Sequence, residues 1–103
     1  MANYDLIRQA IVTKQQIHAT YDGYHREMCP HVLGTKNGAD QCLFYQFGGQ
    51  SKSGLSANPI QNWRCIPIAR LTNVKLVSGA WQSASNHSRA QTCVDIIDVE
   101  VDF

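Results

Sequence analysis

Ile17-His-Ala-Thr-Tyr-Asp-Gly-Tyr-His-Arg-Glu-Met28 carries Asp22-Gly23 at its centre. A two-residue type I′ turn needs positive φ at both positions, which Asp-Gly supplies. The turn fixes a register. Tyr21 faces Tyr24, Ala19 faces Arg26 and Ile17 faces Met28, while His18 pairs with Glu27 and Thr20 with His25 on the other side. Residues two apart in a strand share a face. Arg26 therefore shares its face with Ile17, Tyr21, Tyr24 and Met28. An arginine on an apolar face needs an anion, a carboxylate or a route to the edge of the core.

Working outward, Asn37-Gly38 is a second turn of the same kind, placing Leu33 opposite Cys42 and Val32 opposite Leu43. The strand after it, Gln41-Cys-Leu-Phe-Tyr-Gln-Phe47, is apolar on both faces, as expected of a central strand covered on both sides. In Trp63-Arg-Cys-Ile-Pro-Ile-Ala-Arg-Leu71, Arg64 alternates with Ile66 and Ile68 and repeats the anomaly of Arg26. Residues 64–68 read as a strand, 68–71 as one tight turn, and Val74–Val77 as another strand. Residues 5–14 read as a helix through Leu6, Ile7, Ala10, Ile11 and Lys14, with Asn3 or Asp5 as its cap. The chain closes on Ile97, Val99, Val101 and Phe103 alternating with Asp98, Glu100 and Asp102, and Ile96-Ile97 suggests a bulge. Residues 48–62 and 78–92 are polar loops, the second holding Trp81.

Length and composition bound these readings. The 103 residues suit one domain over 1–103, and 44% hydrophobic with 17% charged residues is ordinary for a folded chain. The net charge of +1 hides an asymmetry: residues 1–94 hold nine basic and four acidic groups, and the last nine residues hold the other four acids. The mild basic bias is short of a dedicated nucleic-acid binder but suits a local anion site. No run approaches the roughly 18 apolar residues of a membrane span, and the first residues lack the pattern of a secretory signal. A cytoplasmic location and no membrane association are therefore expected. Cys29, Cys42, Cys65 and Cys93 then read as four buried thiols, because none is two residues from another and the compartment is reducing. No metal site or cofactor is expected.

Catalysis finds little support. The histidines are scattered, and His18, His25 and Glu27 read as an exposed polar strand face. The glycine runs match neither a phosphate loop nor a dinucleotide fingerprint. The expected fold is mainly β (α+β), an SH3/Sm-like antiparallel barrel of five to seven strands with an N-terminal helix.

The order of elements carries a resemblance. Leu6-Ile-Arg-Gln-Ala-Ile11, Lys14-Gln-Gln-Ile-His-Ala-Thr-Tyr21, His25-Arg-Glu-Met-Cys-Pro30, Leu43-Phe-Tyr45 and Arg64-Cys-Ile-Pro-Ile-Ala-Arg-Leu71 together resemble the WYL domain over residues 6–77. Residues 78–103 add a loop and a C-terminal strand. Leu43-Phe-Tyr45 approximates the signature that names the family. The resemblance implies a non-enzymatic ligand-sensing module, usually carried by bacterial transcription regulators, that binds a nucleotide or short nucleic acid through a basic and aromatic pocket. It makes Arg26, Arg64, Arg70 and Tyr45 the ligand-binding candidates. The competing structural reading pairs the arginines internally with acids. An alternative function is a protein-interaction domain using Trp81 and the polar loops, with a protein partner or a second copy of the chain.

Overall fold

The computed structural model describes residues 2–49, 62–81 and 93–101. Helix α1 (Ala2–Thr13) leads into β1 (Gln16–Tyr21), β2 (Tyr24–Lys36), β3 (Ala39–Gly49), β4 (Trp63–Pro67), a single 3-10 turn (Ile68–Arg70), β5 (Thr72–Val77) and β6 (Ile96–Glu100). The molecule is mainly one antiparallel sheet with an N-terminal helix, in the strand order β4-β3-β2-β1-β5, and β6 also pairs with β2. Among the described residues no ladder joins β4 to β5, so the expected barrel stays open there and the 3-10 turn bridges the gap. No helix among them is long and apolar enough to cross a membrane.

Both short turns form as the dipeptides dictate. Asp22 and Gly23 have φ of 54° and 79°, and Asn37 and Gly38 have 52° and 81°. The register follows: Ile17 opposes Met28, Ala19 opposes Arg26, and Leu33 opposes Cys42. The two hairpins share one strand. β2 runs for 13 residues and lies along β3 on one edge. Its other edge is divided, with β1 covering Tyr24–Met28 and β6 covering Val32–Thr35. Pro30 stands at the changeover, where its missing N–H breaks no ladder.

Two bulges set which side chains face inward. His31 is the extra residue between the Pro30–Phe44 and Val32–Leu43 pairs, and Phe47 is extra between Gln46–Met28 and Gly48–Glu27. With them, Arg26, Met28 and Leu33 of β2 and Cys42, Phe44 and Gln46 of β3 all turn to the interior. The main core joins these apolar residues to Ile7, Ala10 and Ile11 of the helix, Ile17, Ile66, Ile68 and Leu71. Burying each large aliphatic side chain contributes about 1.5–3 kcal/mol.

The helix presents the expected stripe, displaced toward the N-terminus. Asn3 does not cap it; its side-chain amide donates to Leu71 O at 3.4 Å. Lys14 lies beyond the last turn in the left-handed region, with φ 53°. Gln15 N–H donates to Ala10 O at 2.9 Å and Lys14 N–H to Ile11 O at 3.4 Å, the paired bonds of a Schellman ending.

The cysteines divide into two kinds, which corrects the reading of four equivalent buried thiols. Cys29 and Cys42 are free and buried. Cys65 and Cys93 form a disulfide with their Cα atoms 5.6 Å apart. Cys93 belongs to a second small core with Val32, Val94 and Leu43, while Cys65 is exposed. The final strand is only half-buried: Val101 is buried, but Ile96 and Ile97 are exposed. Its irregularity falls at Asp98, which is skipped between the Val99–Leu33 and Ile97–Gly34 pairs. Most of both polar loops, and Asp102 and Phe103, lie outside the described residues.

Candidate anion-binding site

β2, β3 and β4 each turn one polar side chain into the same end of the interior: Arg26, Gln46 and Arg64. Arg64 opposes Phe44 across the β3–β4 ladder, so it shares the inward face of Phe44 and Gln46. Arg26 is only 4% exposed and Gln46 is fully buried.

The partners of Arg26 are weak ones. Its Nη1 donates to Gln46 Oε1 at 3.4 Å. The Gln46 amide is fixed for this role because its Nε2 donates to Gly48 O at 3.0 Å. The guanidinium lies 4.9 Å from the centre of the Tyr21 ring. Among the described residues no carboxylate reaches ion-pair distance of Arg26, and its Nε has no hydrogen-bond acceptor. Burial holds the Arg26 guanidinium below its ordinary range, offset in part by Asp22 and then by Tyr21 and Tyr24.

Magnitudes weigh against a self-contained arrangement. Burying an unpaired charge costs several kcal/mol even after relaxation. A cation–π contact returns about 0.5–2 kcal/mol and one neutral hydrogen bond about 0.5–1.5 kcal/mol. Arg64 adds to the cost. It is half-buried and donates to Trp63 O at 3.1 Å. Its guanidinium is held down first by burial and then by the positive charge of Arg26. Arg26 and Arg64 thus set two guanidinium groups near one end of the core.

Arg70 joins this group from outside. It is the last residue of the 3-10 turn, is exposed, and its Nη2 donates to Asp22 Oδ1 at 2.6 Å. Its guanidinium lies 5.0 Å from the same Tyr21 ring that Arg26 contacts. Tyr21 thus links the buried and exposed arginines, while Arg70 is engaged by an acid as the structural reading expects.

Tyr45 is not brought to the arginines. It alternates with Phe44 and Gln46 along β3 and turns to the opposite face, where it meets Trp63 edge-on at 5.3 Å. His31 lies 4.6 Å from Trp63 and 4.5 Å from Trp81, continuing an aromatic cluster on that side. Trp81 is half-buried and also packs against the main core. Gln46 escaped the sequence reading. The signal was present, because it repeats at i+2 from Cys42 and Phe44 on an apolar face, as Arg64 does beside Ile66.

Among the described residues, surface depressions lie elsewhere. One, of about 530 Å³, is lined by Asn3, Tyr4, Ala39, Asp40, Pro67, Ile68 and Ala69, and another by Asp5, Arg8, Gln9 and Val12. Comparison with family models, with curated proteins and with solved structures finds no match to this chain.

Proposed function

We propose that this chain is a non-enzymatic binding or sensing module of the WYL kind, which recognises an anionic ligand at the interior end formed by Arg26, Gln46 and Arg64. The ligand class is a nucleotide or short nucleic acid, and Arg70 joins the contact when Asp22 releases it. The observation that carries the reading is the Arg26 guanidinium, nearly sealed from water and without a carboxylate in reach among the described residues. An anion arriving there meets the buried Arg26 charge, and a forked guanidinium suits phosphate oxygens. Tyr21, half-buried beside the arginines, holds the Arg26 and Arg70 guanidinium groups against its ring. Tyr45 supports the site through the sheet and does not contact the ligand. A regulatory role in transcription belongs to this reading through the family resemblance alone. The cytoplasmic location is not carried into it, since a closed Cys65–Cys93 bond favours an oxidising compartment.

The test is a titration of the full chain with ATP and with a short single-stranded oligonucleotide, followed by fluorescence anisotropy. Arg64→Ala should weaken binding by about 1.5–3 kcal/mol, the range for a hydrogen bond to a charged group. Equal affinity in the variant, or no binding of either probe by the parent, rejects the proposal.

A further inference from the structure

The outer face of the first hairpin carries a second constellation, on the side of the sheet away from Arg26. His18, His25 and Glu27 bring three donor atoms within 4.8 Å of one another. The hairpin register enforces this. His18 opposes Glu27 across the ladder, and His25 precedes Glu27 by two residues on the same strand face. His25 Nε2 stands 3.5 Å from Glu27 Oε2, and the two imidazoles meet edge-on with centroids 5.9 Å apart.

Two neighbours orient the donors. A Cβ on Gly48 would come within 2.5 Å of Glu27 Oε1, so the glycine leaves the space across which the carboxylate lies. Gln16 sets the His18 ring. Its Nε2 donates to Ala80 O at 2.8 Å, which turns its Oε1 toward His18 Nε2 at 3.1 Å. An amide oxygen only accepts, so His18 Nε2 carries the proton and the neutral ring keeps its lone pair on Nδ1. A ring held by a hydrogen bond from one nitrogen while the other stays a donor is the usual arrangement of a metal-ligating histidine.

We propose that His18, His25 and Glu27 bind a divalent transition cation of the zinc, nickel or copper kind. Two imidazoles and one carboxylate suit these ions, whereas calcium and magnesium prefer all-oxygen sets. Bonds of about 2.0–2.2 Å draw donors to roughly 3–4 Å apart, so the cluster closes with side-chain rotation of about an ångström. Three protein ligands leave a position for water. The site is independent of the anion reading, because it uses the opposite face of the same strands.

The experiment is calorimetric titration of the full chain with Zn²⁺ alone, with Co²⁺ absorption as a report on the ligand field. One site per chain is expected. His18→Ala, His25→Ala and Glu27→Gln should each weaken binding by at least about tenfold, the lower bound seen when even an outer partner of a metal ligand is lost. Asp40→Asn, an exposed acid at the start of β3, is the control and should leave affinity unchanged. Circular dichroism should report an intact fold in all four variants, as the three ligands are at least partly exposed. Failure of Zn²⁺ and Co²⁺ to bind at millimolar concentration overturns the proposal. So does binding that survives any one of the three ligand substitutions.

Discussion

The two halves of β2 solve different problems with one strand. From Tyr24 to Glu27 the strand alternates, with Arg26 turned inward and His25 and Glu27 toward water. From Met28 to Gly34 every residue is buried, because the second half is covered on both faces. The cover comes from far away in sequence. Val94 and Cys93 pack on Val32 and Leu43, and the chain entering β6 lies so close over Gly34 that a Cβ there would meet the Ile96 carbonyl oxygen and Val94 Cγ1, the latter at 2.6 Å. The first half is built from neighbours and keeps a charged group inside. The second is apolar apart from the buried His31 and is held by distant contacts. A local hairpin can thus carry a costly functional residue, provided the rest of its strand is secured elsewhere.

Breaking the staple is the strongest way to separate the halves. Cys93 is tied to β4 by the disulfide, and Gln41 Nε2 donates to Cys93 O at 2.7 Å. Asp95 N–H donates to Thr35 O at 2.9 Å, starting the cover over the second half. The double variant Cys65→Ser/Cys93→Ser should lose about 2–4 kcal/mol in urea unfolding, as expected for opening a cross-link of this span. Hydrogen exchange should rise first in Val32–Thr35 and β6, with the amides of Ile17–Met28 keeping their protection. Equal loss of protection in both halves would mean that the strand opens as one unit and that the contrast drawn here is only topological.

The same contrast explains what the sequence disclosed. Asp22-Gly23 and Asn37-Gly38 are local signals; the first hairpin's register follows from its turn throughout, and the second's as far as the Val32–Leu43 pair. The Ile68–Arg70 turn was legible for the same reason. Arg26 stood out because the hairpin register put it with Ile17, Tyr21, Tyr24 and Met28, and Arg64 because it alternates with isoleucines; the structure seats both inward. Tyr45 enters through the family resemblance alone, and alternation along the strand sends it to the face opposite Gln46. The bond between Cys65 and Cys93 left no local trace. The two are 28 residues apart, and only the return of β6 onto β2 makes them neighbours. The bulges at His31 and Phe47 are equally silent in composition, yet they decide which residues face the core.

Making the first half resemble the second should have a smaller and opposite effect. Arg26→Met with Gln46→Leu replaces the buried cation and its amide partner by apolar groups of similar size. Substitutions of this kind at buried charges are often neutral or stabilising. The free protein should gain about 1–3 kcal/mol in urea unfolding while binding of the ATP probe disappears. A loss of stability instead would identify Arg26 as a structural residue already compensated by the fold, and would remove the reason to expect a ligand.

The finest test lies at the hairpin tip, where the buried and exposed cations meet. Asp22 has two roles that a single substitution separates. Its backbone occupies the left-handed region at φ 54°, which asparagine also tolerates, so Asp22→Asn keeps the turn. Its carboxylate pairs with Arg70, and both side chains are well exposed, at 42% and 58%. Such a pair is worth at most about 1 kcal/mol, so stability should change by less than that. The carboxylate also competes with any anion for Arg70 and for the field around Arg26. Removing it should tighten ATP binding roughly two- to fivefold, the equivalent of one exposed ion pair. Weaker binding would show the opposite relation. Asp22 would then be what aims Arg70 at the site, and the carboxylate would belong to the binding apparatus as its positioning residue.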